Sequence, residues 1–259
     1  MARNPAIRAF VTGWADAWRE VPDVAQSLYA ATCTHDGAHG VVLHRERQAL
    51  VLNSDEATLP ELVDDLLDAG RSVRHVIGEE APCAAFASAW CARARCTARR
   101  GMHLRHHMLT RLEGVLLSPG LMRAATDDDW LWLLAGCVAF AGEARLPDSA
   151  QQVEASARRR FARGGFRIWN DTAPVAFAGC AGIGDAARIG MVYTAPQWRR
   201  RGYATSLVCA IVRERLDAGA ARIFLVTDVD NPTSNAIYAR IGFRPVSDEV
   251  RVDFTDAPA

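Results

Sequence analysis

The stretch Arg199-Arg200-Arg201-Gly202-Tyr203-Ala204-Thr205-Ser206-Leu207 sets a basic, glycine-containing turn at the mouth of a helix. Upstream, Arg188-Ile189-Gly190-Met191-Val192-Tyr193-Thr194 reads as a short strand of bulky residues, and Ala195-Pro196 closes it because proline cannot donate to a ladder. Downstream, Ala204, Leu207, Val208, Ile211 and Leu216 fall at helical spacing. The order is strand, tight turn, helix. The first N–H groups of a helix have no intrahelical partner and stand at the positive end of its macrodipole, so they attract anions. Gly202 lets a pyrophosphate approach the chain closely, and Ala204 leaves that approach open. The plain alternative is a solvated helix start that happens to carry three arginines.

Further on, Arg222-Ile223-Phe224-Leu225-Val226-Thr227 is an apolar run of strand length, as expected for a strand buried on both faces. Asn231-Pro232 offers an N-cap followed by proline at the first helical position, and Gly242 is placed to close the helix in the left-handed conformation. Phe243-Arg244-Pro245-Val246 resumes an extended segment. Two spacings now stand in order: Arg199-x-x-Gly202-x-Ala204 after a strand, then Asn231-x6-Tyr238-x3-Gly242-Phe243. Together they resemble the acyl-CoA signature of the GNAT superfamily of N-acyltransferases.

The resemblance implies an α/β fold with a mixed sheet and acetyl-CoA as cosubstrate, with no metal. It assigns the pyrophosphate to Arg200, Arg201, Gly202, Tyr203, Ala204 and Thr205, with Arg199, the first position of the signature, as a further cofactor-binding residue. Val192, Tyr193 and Thr194 would meet pantetheine through their main chain, where strand 188–194 splays from strand 222–227. Asn231 would contact CoA, and Tyr238 would face the thioester sulfur and protonate the leaving thiolate. Read without the resemblance, Tyr238 is an aromatic packing beside Ile237 and Ile241, and Asn231 is an N-cap.

The base stays open. Some family members carry a glutamate five residues before the asparagine, where this chain has Val226. Asp228 shares the strand parity of Val226 and is the candidate base, although Asp228 and Asp230 can equally cap the following helix, and a water-relayed base would also serve. The implied activity is transfer of an acetyl group to an amine, on a small molecule or a protein N-terminus, by direct attack in a ternary complex. The alternative is a CoA-binding regulatory or sensory module whose catalysis has decayed.

Composition narrows the rest. Half of the 259 residues are hydrophobic, enough for a sizeable core, and 30 basic residues balance 30 acidic ones, so no global basic excess argues for nucleic acid. Every basic residue is arginine, and lysine is absent, which removes any lysine Schiff base. No leader-like segment opens the sequence, and the apolar run from Trp130 to Gly142 is too short to span a bilayer, so a cytoplasmic protein with no membrane partner is expected. Cysteines at 33, 83, 91, 96, 137, 180 and 209 form no Cys-x-x-Cys pair and read mostly as small buried hydrophobes. Cys33, His35, His39 and His44, and likewise His103, His106 and His107, lack a closed zinc spacing. Arg158-Arg159-Arg160 has no interleaved aromatics and reads as a solvated helix face rather than an RNA contact.

The turn cluster Leu117-Ser118-Pro119-Gly120 suggests a boundary between an N-terminal α/β domain at 1–117 and an acetyltransferase domain at 118–259. In the second part, Leu121 to Ala125 reads as a strand, Thr126-Asp127-Asp128-Asp129 caps a helix running to about Arg145, and Ser149 starts another that ends before Gly164-Gly165. Phe166 to Trp169 and Val175 to Cys180 make a hairpin. In the first part, a helix or two are expected over 5–32, extended segments at 40–43 and 49–52, and a helix over 59–69. A strand over 72–77, a helix over 81–95 and a strand pair or one long strand over 101–117 follow. The strand, helix, strand order at 72–117 echoes the last third of a GNAT domain, so a degenerate tandem copy and an unrelated α/β cap are the two readings. Ala98-Arg99-Arg100-Gly101-Met102-His103 mimics the phosphate turn, but no CoA is expected there, because His103 takes the place of the small residue.

Overall fold

The computed structural model describes residues 29–45, 47–52, 54–146, 148–183 and 185–256. The first part of the chain gives β1 (Tyr29–His35), β2 (Ala38–Arg45), β3 (Gln48–Val51), α1 (Leu59–Asp68), β4 (His75–Gly78), α2 (Glu80–Ala94) and β5 (Cys96–Leu109). Then come β6 (Leu121–Ala124), α3 (Trp130–Glu143), α4 (Ala150–Ala162), β7 (Phe166–Asn170), β8 (Pro174–Ile183) and β9 (Ala186–Thr194). The chain finishes with α5 (Tyr203–Asp217), β10 (Arg222–Asp228), α6 (Pro232–Ile241) and β11 (Phe243–Asp256).

These elements form two compact units that do not follow chain order. One takes the described residues up to His106 together with Thr227–Asn231 and the described residues from Pro245 on; the other takes the described residues of His107–Val226 and Pro232–Arg244.

In the first unit the strands lie in the order β1, β2, β3, β4, β11. Asp36 and Gly37, at φ 48 and 82, make the tight turn between β1 and β2, the positive pair that a two-residue hairpin demands. β3 pairs parallel with β4, and α1 lies between them in sequence as the crossover. β4 pairs antiparallel with the far end of the chain, Val250 opposite Gly78 and Asp253 opposite His75. Leu59, Leu62 and Leu66 of α1 form one buried cluster with Val42, Val76, Phe86, Trp90 and Val250. The helix expected over 5–32 lies outside the described residues up to position 28. Its last four positions, 29–32, are strand, because β2 supplies a partner for each of them.

In the second unit β6, β7, β8 and β9 are antiparallel neighbours in that order, and β10 adds to β9 in parallel. Alternation along β8 splits the core. Phe177 joins Leu133, Cys137, Phe166, Ile168 and Tyr193, the cluster fed by α3 and α4. Its neighbours Ala176 and Ala178 join Ile189, Leu207, Ile211, Leu225, Tyr238 and Ile241, the cluster fed by α5 and α6. The sheet is therefore apolar on both faces. Both expected helix starts carry capping boxes, Thr126 with Asp129 and Ser149 with Gln152.

Where one long strand or a strand pair was expected over 101–117, a single strand begins earlier, at Cys96, and stops at Leu109. Beyond it the N–H groups of Thr110 and Glu113 donate to the carbonyls of Gly242 and Ile241 instead of to a partner strand. Arg99, Arg100 and Gly101 lie within β5 and form no turn. Among the described residues no helix is long and apolar enough to cross a membrane.

Candidate active site

The site in the second unit starts where β9 loses its neighbour. The parallel register with β10 runs from Ala186↔Arg222 to Ile189↔Leu225, whereas β9 continues to Thr194. Just past that point the pairing with β8 shifts between Phe177 and Gly179, and Met191 takes a positive φ of 51. The shift is a bulge with its extra residue on β9, which turns the main chain of Met191, Val192 and Tyr193 off the regular ladder. Tyr193 is buried against Phe177, while Val192 and Thr194 are half-buried.

Pro196–Trp198 then makes one 3-10 turn, and the basic segment follows. Its three arginines are used differently. Arg199 donates from Nε to the Thr194 carbonyl at 2.9 Å and from Nη2 to both Glu143 oxygens at 2.7 and 2.9 Å, and its guanidinium lies 5.5 Å from the Tyr193 ring centroid. The hydrogen bond to Glu143 raises its pKa further, and Arg199 ties the turn to the end of α3. Arg201 stacks over Trp198 at 4.9 Å, and both Arg200 and Arg201 are exposed. Arg200 sits at φ 61, a left-handed conformation that costs a non-glycine residue about 1 kcal/mol.

Gly202, at φ 80, is the N-cap of α5, and no side chain caps that helix. The amides of its first turn are therefore aimed outward without a side-chain acceptor, next to two exposed guanidinium groups, which is the electrostatics of an anion seat. Ser118 braces the turn from outside: its hydroxyl donates to the Arg201 carbonyl and its N–H donates to the Ser206 hydroxyl, each at 2.8 Å. Tyr203 is buried, packs edge-on against Trp198 and donates its hydroxyl to Asp171 Oδ2 at 2.6 Å, which pushes that hydroxyl's pKa up. Ala204 is half-buried and Thr205 buried.

Tyr238 stands on α6, in the same buried cluster as Ile189 and Tyr203. Its ring lies 6.5 Å from that of His107 and 6.1 Å, edge-on, from that of Phe243. It is 7% exposed, and burial alone raises its hydroxyl pKa. Gly242, at φ 114, ends α6, and any Cβ there would collide with the Arg111 carbonyl, so the absence of a side chain also lets residues 110–113 close over the helix end.

Asp228 and Asn231 fall in the first unit. Asp228 Oδ1 accepts the Asp230 N–H at 3.0 Å and its carbonyl accepts the Asn231 N–H at 3.1 Å, so its carboxylate holds the turn that leads into α6. Asn231 is exposed and immediately precedes α6. Sequence reasoning missed Ser118, Glu143, Asp171 and Ser206. Only Ser118, in its Ser-Pro-Gly turn, and Ser206, inside the basic motif, carried any local signal. Among the described residues no three His, Cys, Asp or Glu side chains gather as metal ligands.

The pattern of the acetyltransferase (GNAT) family matches residues 128–243. Among solved structures the chain is similar to a GCN5-related N-acetyltransferase from Kribbella flavida, at 16% identity and a TM-score of 0.66, covering 100% of this chain and 98% of that one. It is similar to a GNAT-family acetyltransferase from Colwellia psychrerythraea at 14% identity and a TM-score of 0.56, over 86% and 84% of the two chains. A tandem GNAT protein from the clavulanic acid biosynthesis pathway shares 15% identity at a TM-score of 0.51, over 100% and 98%. Such identities speak for the fold alone, and the tandem neighbour fits an N-terminal part built as a second copy. No curated protein matches the sequence.

Proposed function

We propose that this chain, whose residues 128–243 match the pattern of the acetyltransferase (GNAT) family, transfers an acetyl group from acetyl-CoA to an amine, on a small molecule or a protein N-terminus, in the cytoplasm. The single observation that carries the donor assignment is Gly202 at φ 80, opening an uncapped α5 beside Arg200 and Arg201. That geometry fits a pyrophosphate, since the amides of residues 203 to 205 and the two guanidinium groups supply donors and positive charge. The β9 main chain beyond Ile189, off the β10 ladder, fits an extended pantetheine arm, with Val192, Tyr193 and Thr194 as its contacts.

When bound, acetyl-CoA supplies a thioester open to attack by a neutral amine. The new C–N bond forms as the C–S bond breaks, the amine sheds a proton and the thiolate takes one. Tyr238 is our donor of the second proton, because its raised pKa keeps the hydroxyl protonated. Asp228 is our candidate acceptor of the first, directly or through water, and Asn231 our further contact to CoA.

Calorimetry with acetyl-CoA, combined with CoA release measured over a panel of amines and peptide N-termini, tests this reading. Binding at roughly micromolar Kd, as in the usual range of enzyme substrates, and turnover with one acceptor class are expected. Absence of heat at millimolar acetyl-CoA overturns it, and heat without CoA release from any acceptor identifies a CoA-binding regulatory module instead.

A further inference from the structure

Helix α2 ends on Arg95, which adopts the left-handed conformation at φ 52, and β5 begins on the next residue. A helix that ends in this way folds the residue after the left-handed one back over its last turn, so side chains five apart in sequence meet. In most proteins that contact is apolar. Here the two positions are Cys91 and Cys96, and their sulfurs lie 3.6 Å apart. Both are half-buried, and both are free thiols. Cys33, Cys83, Cys137, Cys180 and Cys209, in contrast, are buried.

We infer that Cys91 and Cys96 form a reversible disulfide, a redox modification site at the junction of α2 and β5 in the first unit. An S–S bond is about 2.05 Å long, so bond formation requires the sulfurs to close by roughly 1.5 Å, through rotation about the two Cα–Cβ bonds. The oxidant is a small-molecule disulfide. One cysteine thiolate attacks one of its sulfurs, giving a mixed disulfide and releasing one thiolate. The second cysteine attacks the protein sulfur of that mixed disulfide and expels the second thiolate. Two protein thiols are oxidised, one external disulfide is reduced to two thiols, and the two protons pass to the leaving sulfurs. The covalent link then fixes the helix end and the strand start to each other. Partial exposure is what the exchange needs, since the attacking and leaving sulfurs must reach solvent.

Trypsin supplies the readout, because Arg93 and Arg95 lie between the two cysteines. The full chain is equilibrated with oxidised glutathione, quenched in acid, alkylated and digested. The expected product is a pair of peptides, His75–Arg93 and Cys96–Arg99, joined until a reductant separates them, with fragmentation placing the bond on Cys91 rather than Cys83. Cys91→Ala should remove the linked pair, and the wild-type fragmentation stands by itself should that variant misfold. Alkylation of both cysteines after full oxidation, glutathione retained on either of them, or a bond from Cys96 to Cys83 would each overturn the inference.

Discussion

The hydroxyl of Ser118 donates to the carbonyl oxygen of Arg201 over 2.8 Å, pinning the basic turn from a segment far away in sequence. Ser118→Ala removes that bond and keeps the one from its N–H to Ser206. One such hydrogen bond is worth about 1 kcal/mol, and the carbonyl freed is in an exposed residue that water can serve. The acetyl-CoA Kd should therefore rise about 3–10-fold with little change in melting temperature. An unchanged Kd would separate this brace from ligand binding.

Gly202→Val asks a β-branched residue to hold φ 80 and places a Cβ 2.7 Å from Ser118 Oγ. The strain, about 1–2 kcal/mol, should lower the melting temperature by several degrees and leave the far-ultraviolet spectrum native. The same side chain obstructs the approach to the first amides of α5, so acetyl-CoA binding should weaken by about 100-fold or more, nearly 3 kcal/mol. Calorimetry on the variant decides it: wild-type affinity would show that phosphate is seated elsewhere.

Tyr238→Phe keeps the ring contacts with His107 and Phe243 and deletes only the hydroxyl. If that hydroxyl protonates the thiolate, kcat falls by about 10²–10⁴-fold while the acetyl-CoA Kd holds. Because burial raises its pKa above the usual tyrosine value of about 10, the wild-type rate should show no loss from Tyr238 ionisation up to about pH 10. Turnover of the Phe variant at the wild-type rate would leave Tyr238 a packing residue.

Asp129 accepts two hydrogen bonds from Arg123, at 2.6 and 2.7 Å, and bonds from the Thr126 amide and hydroxyl, and Arg123 above all lowers its pKa to about 2. Asp129→Asn should cost about 2 kcal/mol at neutral pH, through the lost charge and the weakened cap. The folded pKa lies below the unfolded value of about 3.9, so this contribution is complete above that value and disappears as pH falls through about 2. Urea titrations of both proteins at pH 7, 4 and 2 should show the gap shrinking across that window, and a gap constant with pH would point to packing.

A fragment holding only residues 118–259 would keep β11 without β4. Val250, now 4% exposed, and Phe254, within 6.4 Å of the Phe86 ring and 6.2 Å of the Trp90 ring, would lose their apolar partners. The fragment should be insoluble or bind a hydrophobic dye. A soluble fragment with one cooperative melting transition would instead establish 118–259 as a domain in its own right.

What the sequence made legible was local. The strand, turn and helix around Gly202 were readable because glycine, proline and helical periodicity act over a few residues, and the same holds for the caps at Thr126 and Ser149. The helix carrying Tyr238 was readable from Pro232 and Gly242. The partners that fix these pieces were not. Arg199 finds Glu143 and Tyr203 finds Asp171 through the fold, and nothing in the flanking residues announces them; the Ser-Pro-Gly turn marks Ser118 as a turn residue but not as the partner of the basic turn. Residues 29–32, alanine-rich and helical by propensity, became strand because β2 offered a ladder, a case of tertiary pairing overriding a weak local preference. The pairing of Val250 with Gly78 spans most of the chain and left no periodic trace.

That last pairing bears on how the protein is made. A ribosome delivers roughly 5–20 residues per second, so β4 and its cluster emerge well before the strand that completes them, and everything in the second unit is synthesised in between. For those seconds the open flank of β4 is a sticky edge on a nascent chain. Frameshifts that replace Pro245–Asp256 would thus injure the fold around β4, and their damage would show as co-translational aggregation before any loss of turnover.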